Sequence, residues 1–293
     1  MKRKEFILKN ASHLKGRTVA ITGSTGGIGQ ELCRYLAAIG ASLILMDRNQ
    51  NRSQALKDRL IEKFPNINIT LIPVELSDMD SVKTATARLK ALEPYVFIHN
   101  AGAYSIPRHI CSTGMDNVFQ INFLSPYYII RELLPTLREN GGRVIVMGSI
   151  AHRYSQTRKD DIDFSKERRA SRVYGNAKRY LMFSLYGLFE EETNAHLAVV
   201  HPGITFTGIT AHYPKLIFAL IKRPMKVIFP KPAKACLSAL VGTYEDCGYR
   251  QWIGPRIFDI WGYPKKKHLG GISDDEIKDI EKTADTLYLE LKK

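Results

Sequence analysis

The sequence predicts an α/β protein, a single doubly wound parallel sheet with helices on both faces. Three observations carry that expectation. Short apolar runs alternate with helix-length segments along the chain, the pattern of successive βαβ units. The first run leads at once into a glycine-rich turn that opens a helix. No Pro/Gly/Ser-rich linker or fixed-period repeat divides the 293 residues, so one core is expected, although about 150 residues per domain would allow two. Right-handed crossovers then place ligand chemistry beyond the C-terminal ends of the strands.

Thr18–Thr22 (TVAIT) reads as the first buried strand and Ile28–Ile39 as the helix after its turn. Ala41–Met46 is the second strand, Ser53–Phe64 a helix ended by Pro65, and Ile67–Val74 the third strand. Ser81 is the expected N-cap of a helix reaching Leu92, and Tyr95–His99 is the fourth strand. Helical segments around 114–138 precede a strand at Arg143–Met147; a long helix at about 172–192 precedes the strand His196–Val200. A further helix fits around 231–243. Residues 1–15 read as an N-terminal extension, 16–270 as the domain with a substrate lid at about 205–230, and 271–293 as a C-terminal helix. Ser273 with Glu276 resembles a capping box for that helix.

Lysine and arginine outnumber acidic residues 43 to 29, a formal net charge of +14. Such a chain can meet nucleic acid, an anionic membrane or an anionic ligand. The densest basic clusters, Lys2–Lys4, Arg168–Arg172 and Lys265–Lys267, are too short to line a nucleic-acid groove. No nucleic-acid partner is expected, and a phosphate-bearing cofactor is the simpler account. Cys33, Cys111, Cys236 and Cys247 form no Cys-x-x-Cys pair and no His/Cys cluster, so no metal site is expected. Free thiols imply a reducing compartment. The apolar stretch Phe6–Leu8 is too short for a signal-peptide core, and no segment approaches the about 20 apolar residues of a membrane span. The expected location is the cytoplasm.

The first turn reads TGSTGGIG, Thr22 to Gly29, with glycines at 23, 26, 27 and 29. Small residues let a backbone turn sharply and approach a pyrophosphate, and the following helix N-terminus offers unpaired N–H groups and a positive dipole. Asp47 closes the second strand, where a carboxylate accepts hydrogen bonds from the adenosine ribose and repels an added phosphate. That favours NAD(H). Arg48 follows immediately and could attract the phosphate, so NADP(H) stays open. Further on, Tyr174-Gly175-Asn176-Ala177-Lys178 places a phenol and an ammonium one helical turn apart on one face. An adjacent cation favours the phenolate, which moves a tyrosine of ordinary pKa near 10 toward useful acid–base range. Ser149 follows the strand Arg143–Met147, where a hydroxyl can hold a substrate oxygen.

These pieces resemble the short-chain dehydrogenase/reductase family, specifically its short, non-extended branch, through Thr-Gly-x-x-x-Gly-x-Gly, the His99-Asn100-Ala101-Gly102 turn, Asn122, Ser149 and Tyr174-x-x-x-Lys178. The resemblance implies a Rossmann fold and an NAD(P)-dependent oxidoreductase. It implies cofactor contacts from Thr22, Gly23, Ser24, Thr25, Gly27, Ile28 and Gly29, from Asp47 and Arg48, from Glu75 and Leu76 near adenine, and from Asn100, Ala101 and Gly102. Past His201, Pro202 and Gly203 make the family's Pro-Gly turn; Ile204 is expected on the nicotinamide carboxamide and Thr207 on the carboxamide or diphosphate. The catalytic set is Asn122, Ser149, Tyr174 and Lys178. Tyr174 is the general acid/base, Ser149 holds the substrate oxygen, Lys178 lowers the phenol and binds the nicotinamide ribose, and Asn122 holds a water of the proton relay. A mid-helix asparagine bonded to backbone is the plainer reading of Asn122. The family usually has Asp where Glu75 stands, Asn where His99 stands and Ser where Gly148 stands; His99 is expected to be a structural partner.

The polar insertion Arg153–Arg172, the Ala151-His152 pair and the Trp261 region resemble the retinol-dehydrogenase-like branch. That implies a bulky, apolar alcohol or ketone, steroid- or retinoid-like. The segment Ala211–Phe229 mixes apolar and basic residues and reads as a lid, a peripheral membrane contact, or core or subunit packing. The family commonly pairs through the helices carrying Asn122 and Tyr174, so a homodimer or homotetramer is expected. The competing reading from another class is a catalytically silent NAD(P)-binding sensor or scaffold.

Overall fold

The computed structural model describes residues 3–203 and 230–293. Eight strands form one sheet in the order β3-β2-β1-β4-β5-β6-β7-β8. They are β1 Thr18–Thr22, β2 Ser42–Asp47, β3 Ile69–Pro73, β4 Val96–His99, β5 Arg143–Met147, β6 His196–Val200, β7 Gln251–Ile257 and β8 Trp261–His268. β1 to β7 run parallel, and β8 returns antiparallel to β7 at the edge. The sheet order reverses between β1 and β4, and the ligand crevice of such a fold lies at that switch, beyond the strand C-termini.

Helices cover both faces. On one side lie α1 (Arg3–Asn10), α2 (Gly27–Ile39), α3 (Gln50–Lys63) and the short α7 (Leu237–Gly242), packing Ile7, Leu36, Leu56 and Leu240 onto the sheet. On the other lie α4 (Met79–Lys90), α5 (Ser125–Asn140), α6 (Ala170–Leu188) and α8 (Asp274–Lys292), contributing Leu89, Leu133, Leu181 and Ile280. α5 is preceded by a helical turn at Asn117–Phe119 and a π-helical stretch, Gln120–Leu124. The central strands are buried on both faces, which explains why they read as unbroken apolar runs.

Several element boundaries differ from the sequence expectation, each for a local hydrogen-bonding reason. α3 starts three residues before Ser53, because the Asn49 side chain caps it by accepting from the Arg52 N–H at 3.0 Å. Ser53 instead donates to the Asp47 carboxylate at 3.2 Å. Asp78, not Ser81, caps α4, accepting from the Asp80 and Ser81 N–H groups at 3.0 and 3.4 Å; the Ser81 hydroxyl accepts from the Glu75 N–H. Only half of the C-terminal capping box forms. Ser273 accepts from the Glu276 N–H at 3.2 Å, while the Glu276 carboxylate turns away to Arg179. The β7–β8 hairpin and α1 were not expected at all. The proposed lid, with Ile204, Thr207 and 211–229, lies outside the described residues.

α8 is held across α5 and α6. Arg179 is 2% exposed at its side chain and clasps Glu276 with two bonds, Nε to Oε1 at 2.7 Å and Nη2 to Oε2 at 2.6 Å. Its remaining donors reach the carbonyls of His152 and Gly271, each at 3.2 Å. Tyr288 and Lys292 both donate to Glu132 of α5, at 2.6 and 2.8 Å. The face through which subunit pairing was expected therefore carries this chain's own C-terminal helix. Arg179→Ala strands a mostly buried carboxylate and two carbonyls. It should lower the unfolding free energy by about 3 kcal/mol, the lower end for a broken buried pair because Glu276 keeps some solvent. Urea denaturation checks this.

Candidate active site

At the strand C-termini a cleft of about 600 Å³ runs from the first turn to the end of β6. One end is the glycine-rich turn. Gly23 has φ +66°, and a Cβ there would stand 2.8 Å from the Ala101 Cα. A Cβ on Gly29 would stand 2.3 Å from the Gly23 carbonyl oxygen, so α2 can begin tight against the turn only with glycine there. Gly23, Thr25, Gly27 and Ile28 line the cleft; Thr22, Ser24 and Gly29 form the layer beneath. Thr22 is a buried hub. Its hydroxyl oxygen accepts from the Asn100 and Ala101 N–H groups, both at 3.1 Å. With both lone pairs so engaged, its proton goes to His99 Nδ1 at 3.0 Å, a tautomer assigned from the network. Asn100 donates to the carbonyls of Thr22 and Gly23. His99 thus has the structural role expected of it, stitching β4 to the turn. Burial, with the Lys178 charge nearby, holds its imidazole well below the ordinary range.

Asp47 is 4% exposed. Its carboxylate accepts from the Ser24 hydroxyl, from the Thr25 N–H at 3.1 Å, from the Thr25 hydroxyl at 3.0 Å and from Ser53. A carboxylate offers about four acceptor sites, and here all four brace the turn. Arg48 beside it projects outward, 79% exposed at its side chain, and approaches Glu75 at 3.4 Å. Arg52 and Asn49 also border this end of the cleft, with Glu75 and Leu76 opposite. Sequence reading missed Arg52; its position on the first turn of a helix starting at Gln50 was the available signal.

At the other end the structure brings Ser149, Tyr174 and Lys178 together with Asn100, Ala101, Gly102, Pro202 and Gly203. Ser149 ends β5 and caps the following turn, Ile150–Tyr154, its Oγ accepting from the Ala151 N–H at 3.2 Å. Tyr174 lies on α6, where its packing pushes the phenol up to about 12 although a hydrogen bond with the Ser149 side chain opposes the shift. Lys178, 2% exposed, donates from Nζ to the Met147 carbonyl at 2.9 Å and stands 5.7 Å from the Tyr174 ring centre. Burial brings its ammonium down to about 7. The expected depression of the phenol by the lysine is therefore not what the protein alone displays. Desolvation dominates both groups.

Asn122 lies in the π-helical stretch. It donates to the carbonyls of Ala103 and Val118, both at 2.8 Å, and accepts from the Ala103 N–H at 3.2 Å. Its side chain ties the π-helical stretch to Ala103. The apolar wall near Ser149 comes from Tyr104, Ile106, Ile121 and Ile150, and Tyr104 meets the Tyr174 ring edge-on at 5.3 Å. None of these was singled out in the sequence. Among the described residues no group of three His, Cys, Asp or Glu could hold a metal, and no helix is long and apolar enough to cross a membrane.

A glycine cradle at the switch point and a serine–tyrosine–lysine cluster at the far end define a dinucleotide-dependent oxidoreductase. The chain belongs to the short-chain dehydrogenase/reductase family and is an NAD(P)-dependent oxidoreductase. The family profile described as short chain dehydrogenase matches residues 17–159. The chain is 30% identical over 221 residues to short-chain dehydrogenase TIC 32 A, chloroplastic, of Brassica napus, covering 69% of this chain and 67% of that one. It is 26% identical over 260 residues to retinol dehydrogenase 12 of Mus musculus, covering 83% and 81%. A short-chain dehydrogenase from Sphingobium yanoikuyae, solved in complex with NADPH, superposes with a TM-score of 0.59 at 22% identity, covering 77% of this chain and 84% of that one.

The depressed Lys178 gives a stability signature. Below pH 7 the lysine is protonated folded and unfolded, so the burial cost is fully present. Between pH 7 and its ordinary 10.5 the unfolded chain binds the extra proton, so stability rises with pH across that window. The thermal midpoint of the cofactor-free protein should rise between pH 7 and 9.5 by more in the wild type than in Lys178→Met, by scanning calorimetry.

Proposed function

We propose that the protein interconverts a bulky, apolar alcohol and its carbonyl compound by hydride transfer, with Tyr174 as the general acid/base. The observation that carries this reading is the meeting of Ser149, Tyr174 and Lys178 at the end of a cleft whose other end is the glycine cradle. The tight turn that Gly23 and Gly29 permit sets the N-terminus of α2 at the cleft, where its N–H groups suit a pyrophosphate. When bound, the nicotinamide supplies the acceptor or donor of the hydride. Ser149 Oγ holds the substrate oxygen. Tyr174 Oη gives its proton to that oxygen as a carbonyl is reduced, or takes it as an alcohol is oxidised. Lys178 Nζ, anchored on the Met147 carbonyl, is placed to hold the nicotinamide ribose and, when protonated, to ease loss of the phenol proton. Asn122 fixes the loop on which Ala103 stands. The apolar substrate is supported by the Tyr104–Ile106–Ile121–Ile150 wall, and by likeness to a protein named for retinol.

For the cofactor, the sequence favoured NAD(H) on the strength of Asp47. Its carboxylate is instead spent on Ser24, Thr25 and Ser53, while Arg48 and Arg52 border the cleft just beyond it. That arrangement supports NADP(H), because guanidinium groups at this end of the cleft suit an added phosphate.

Two measurements test these assignments. Tyr174→Phe should reduce kcat for a hydroxysteroid or retinoid pair by about 10²–10⁴-fold, with cofactor affinity by titration little changed; undiminished turnover would remove Tyr174 from its role. Arg48→Glu should raise KM for NADPH by about ten- to a hundredfold, the worth of a charged hydrogen bond, and leave NADH within a few fold. An unchanged NADPH KM returns the preference to NAD(H).

A further inference from the structure

The β7–β8 hairpin carries an apolar tip and a cationic flank that the reaction does not use. Ile257 and Phe258 are 49% and 83% exposed, and Trp261, paired with Ile257 in the ladder, is 37% exposed. The tip stands at the active-site mouth. β7 is parallel to β6, so it ends at the catalytic edge of the sheet, and a Cβ on Gly203 would lie 3.1 Å from the Ile260 carbonyl oxygen. Along the flank, Arg3, Arg256 and Lys265 border a second cleft of about 380 Å³ between α1 and the hairpin, with Phe6 and Tyr263 as its aromatic walls. The Arg3 guanidinium lies 5.7 Å above the Tyr263 ring. Glu245 is the acidic residue of that lining, so cations prevail there. Lys267, by contrast, is committed to Asp259 at 2.6 Å.

We propose that this hairpin docks the protein on an anionic lipid surface. Ile257, Phe258 and Trp261 enter the boundary between headgroups and acyl chains, and Arg3, Arg256 and Lys265 meet lipid phosphates and carboxylates. Exposed aromatic side chains ringed by basic ones suit that boundary, where one end of the contact is apolar and the other wet and negative. A second copy is the poorer occupant, because a two-fold interface sets a patch against itself and would bring two cationic flanks together. With the tip beside Gly203, docking turns the active-site mouth toward the lipid, where a bulky apolar alcohol or ketone resides. The value of docking to the enzyme rests on the apolar-substrate reading above; the docking itself does not.

Flotation of the full chain with phosphatidylcholine vesicles, with and without phosphatidylserine, at ~0.15 M salt tests this. The wild type should float with the phosphatidylserine vesicles and stay behind with the neutral ones. Phe258→Ser should weaken partitioning by about tenfold or more, and R256E with K265E by at least about fivefold per basic residue. All variants should keep the wild-type unfolding midpoint and turnover of a water-soluble ketone measured without vesicles. Wild type that ignores anionic vesicles, or R256E/K265E that floats as wild type does, overturns the proposal. So does a fall in mass by sedimentation in these variants, which assigns the hairpin to a second copy. Absence of turnover on every ketone strikes the reaction reading alone, because flotation needs no catalysis.

Discussion

The active site depends on one close contact, between α6 and the turn that leaves β5. A Cβ on Gly175 would stand 2.3 Å from the Ala151 carbonyl oxygen, so the helix can lie directly on that turn only where residue 175 has no side chain. Gly175 follows Tyr174, and Ala151 lies two residues after Ser149. The approach of the two backbones is therefore what brings serine and tyrosine together. Lys178, one helical turn on, closes the same joint by reaching back to the Met147 carbonyl. Arg179 adds a third tie through the His152 carbonyl. Strand end, turn and helix become one unit, and catalytic groups held by packed backbone lose little of their geometry to motion.

The inner side of that unit is closely packed, with Lys178 2% exposed. Burial lowers Lys178 to about 7 and raises Tyr174 to about 12. It brings His152 and His201 behind them down to about 4. His201 stacks on Trp252 with centroids 4.8 Å apart, and His152 meets the same indole edge-on. Each shift favours the neutral form. A net charge of +14 thus belongs to the surface, while the reaction centre holds few full charges of its own. In such surroundings a charge brought by a ligand, or developing on a substrate oxygen, is felt strongly by Ser149, Tyr174 and Lys178.

Much of this was legible because each piece left a local signature. β1, β5 and β6 begin and end where the apolar runs do, since strands buried on both faces are built mainly from apolar residues. The glycine spacing and the four-residue step from Tyr174 to Lys178 are equally local. What stayed hidden depends on partners distant in sequence. The convergence of Ser24, Thr25 and Ser53 on the Asp47 carboxylate is one such case. Glu276 looks like half of a capping box until Arg179 takes its carboxylate. Asp78 outcompetes Ser81 as a cap, a choice of one turn that pattern reading does not resolve. The β7–β8 hairpin escaped because Gly254, Pro255, Gly262 and Pro264 interrupt it. Such residues are tolerated where a strand lies at an edge, in this case β8, or near a bulge, in this case between Pro255 and Ile257.

The sheet edge and the helical face beside it bear on how the molecule meets others. β8 is almost wholly exposed, and its Pro264 and Lys265–Lys267 discourage a further strand from adding to the sheet. The face of α5 and α6, through which pairing was expected from family resemblance, is covered by α8, held by Arg179 to Glu276 and by Tyr288 and Lys292 to Glu132. Pairing through that face requires these bonds to be given up, including one to a side chain that is 2% exposed. An added C-terminal helix thus does for one face what proline and lysine do for one edge. The hairpin tip, by contrast, keeps Phe258 and Trp261 exposed, with Ile260 close to Gly203 of the cleft.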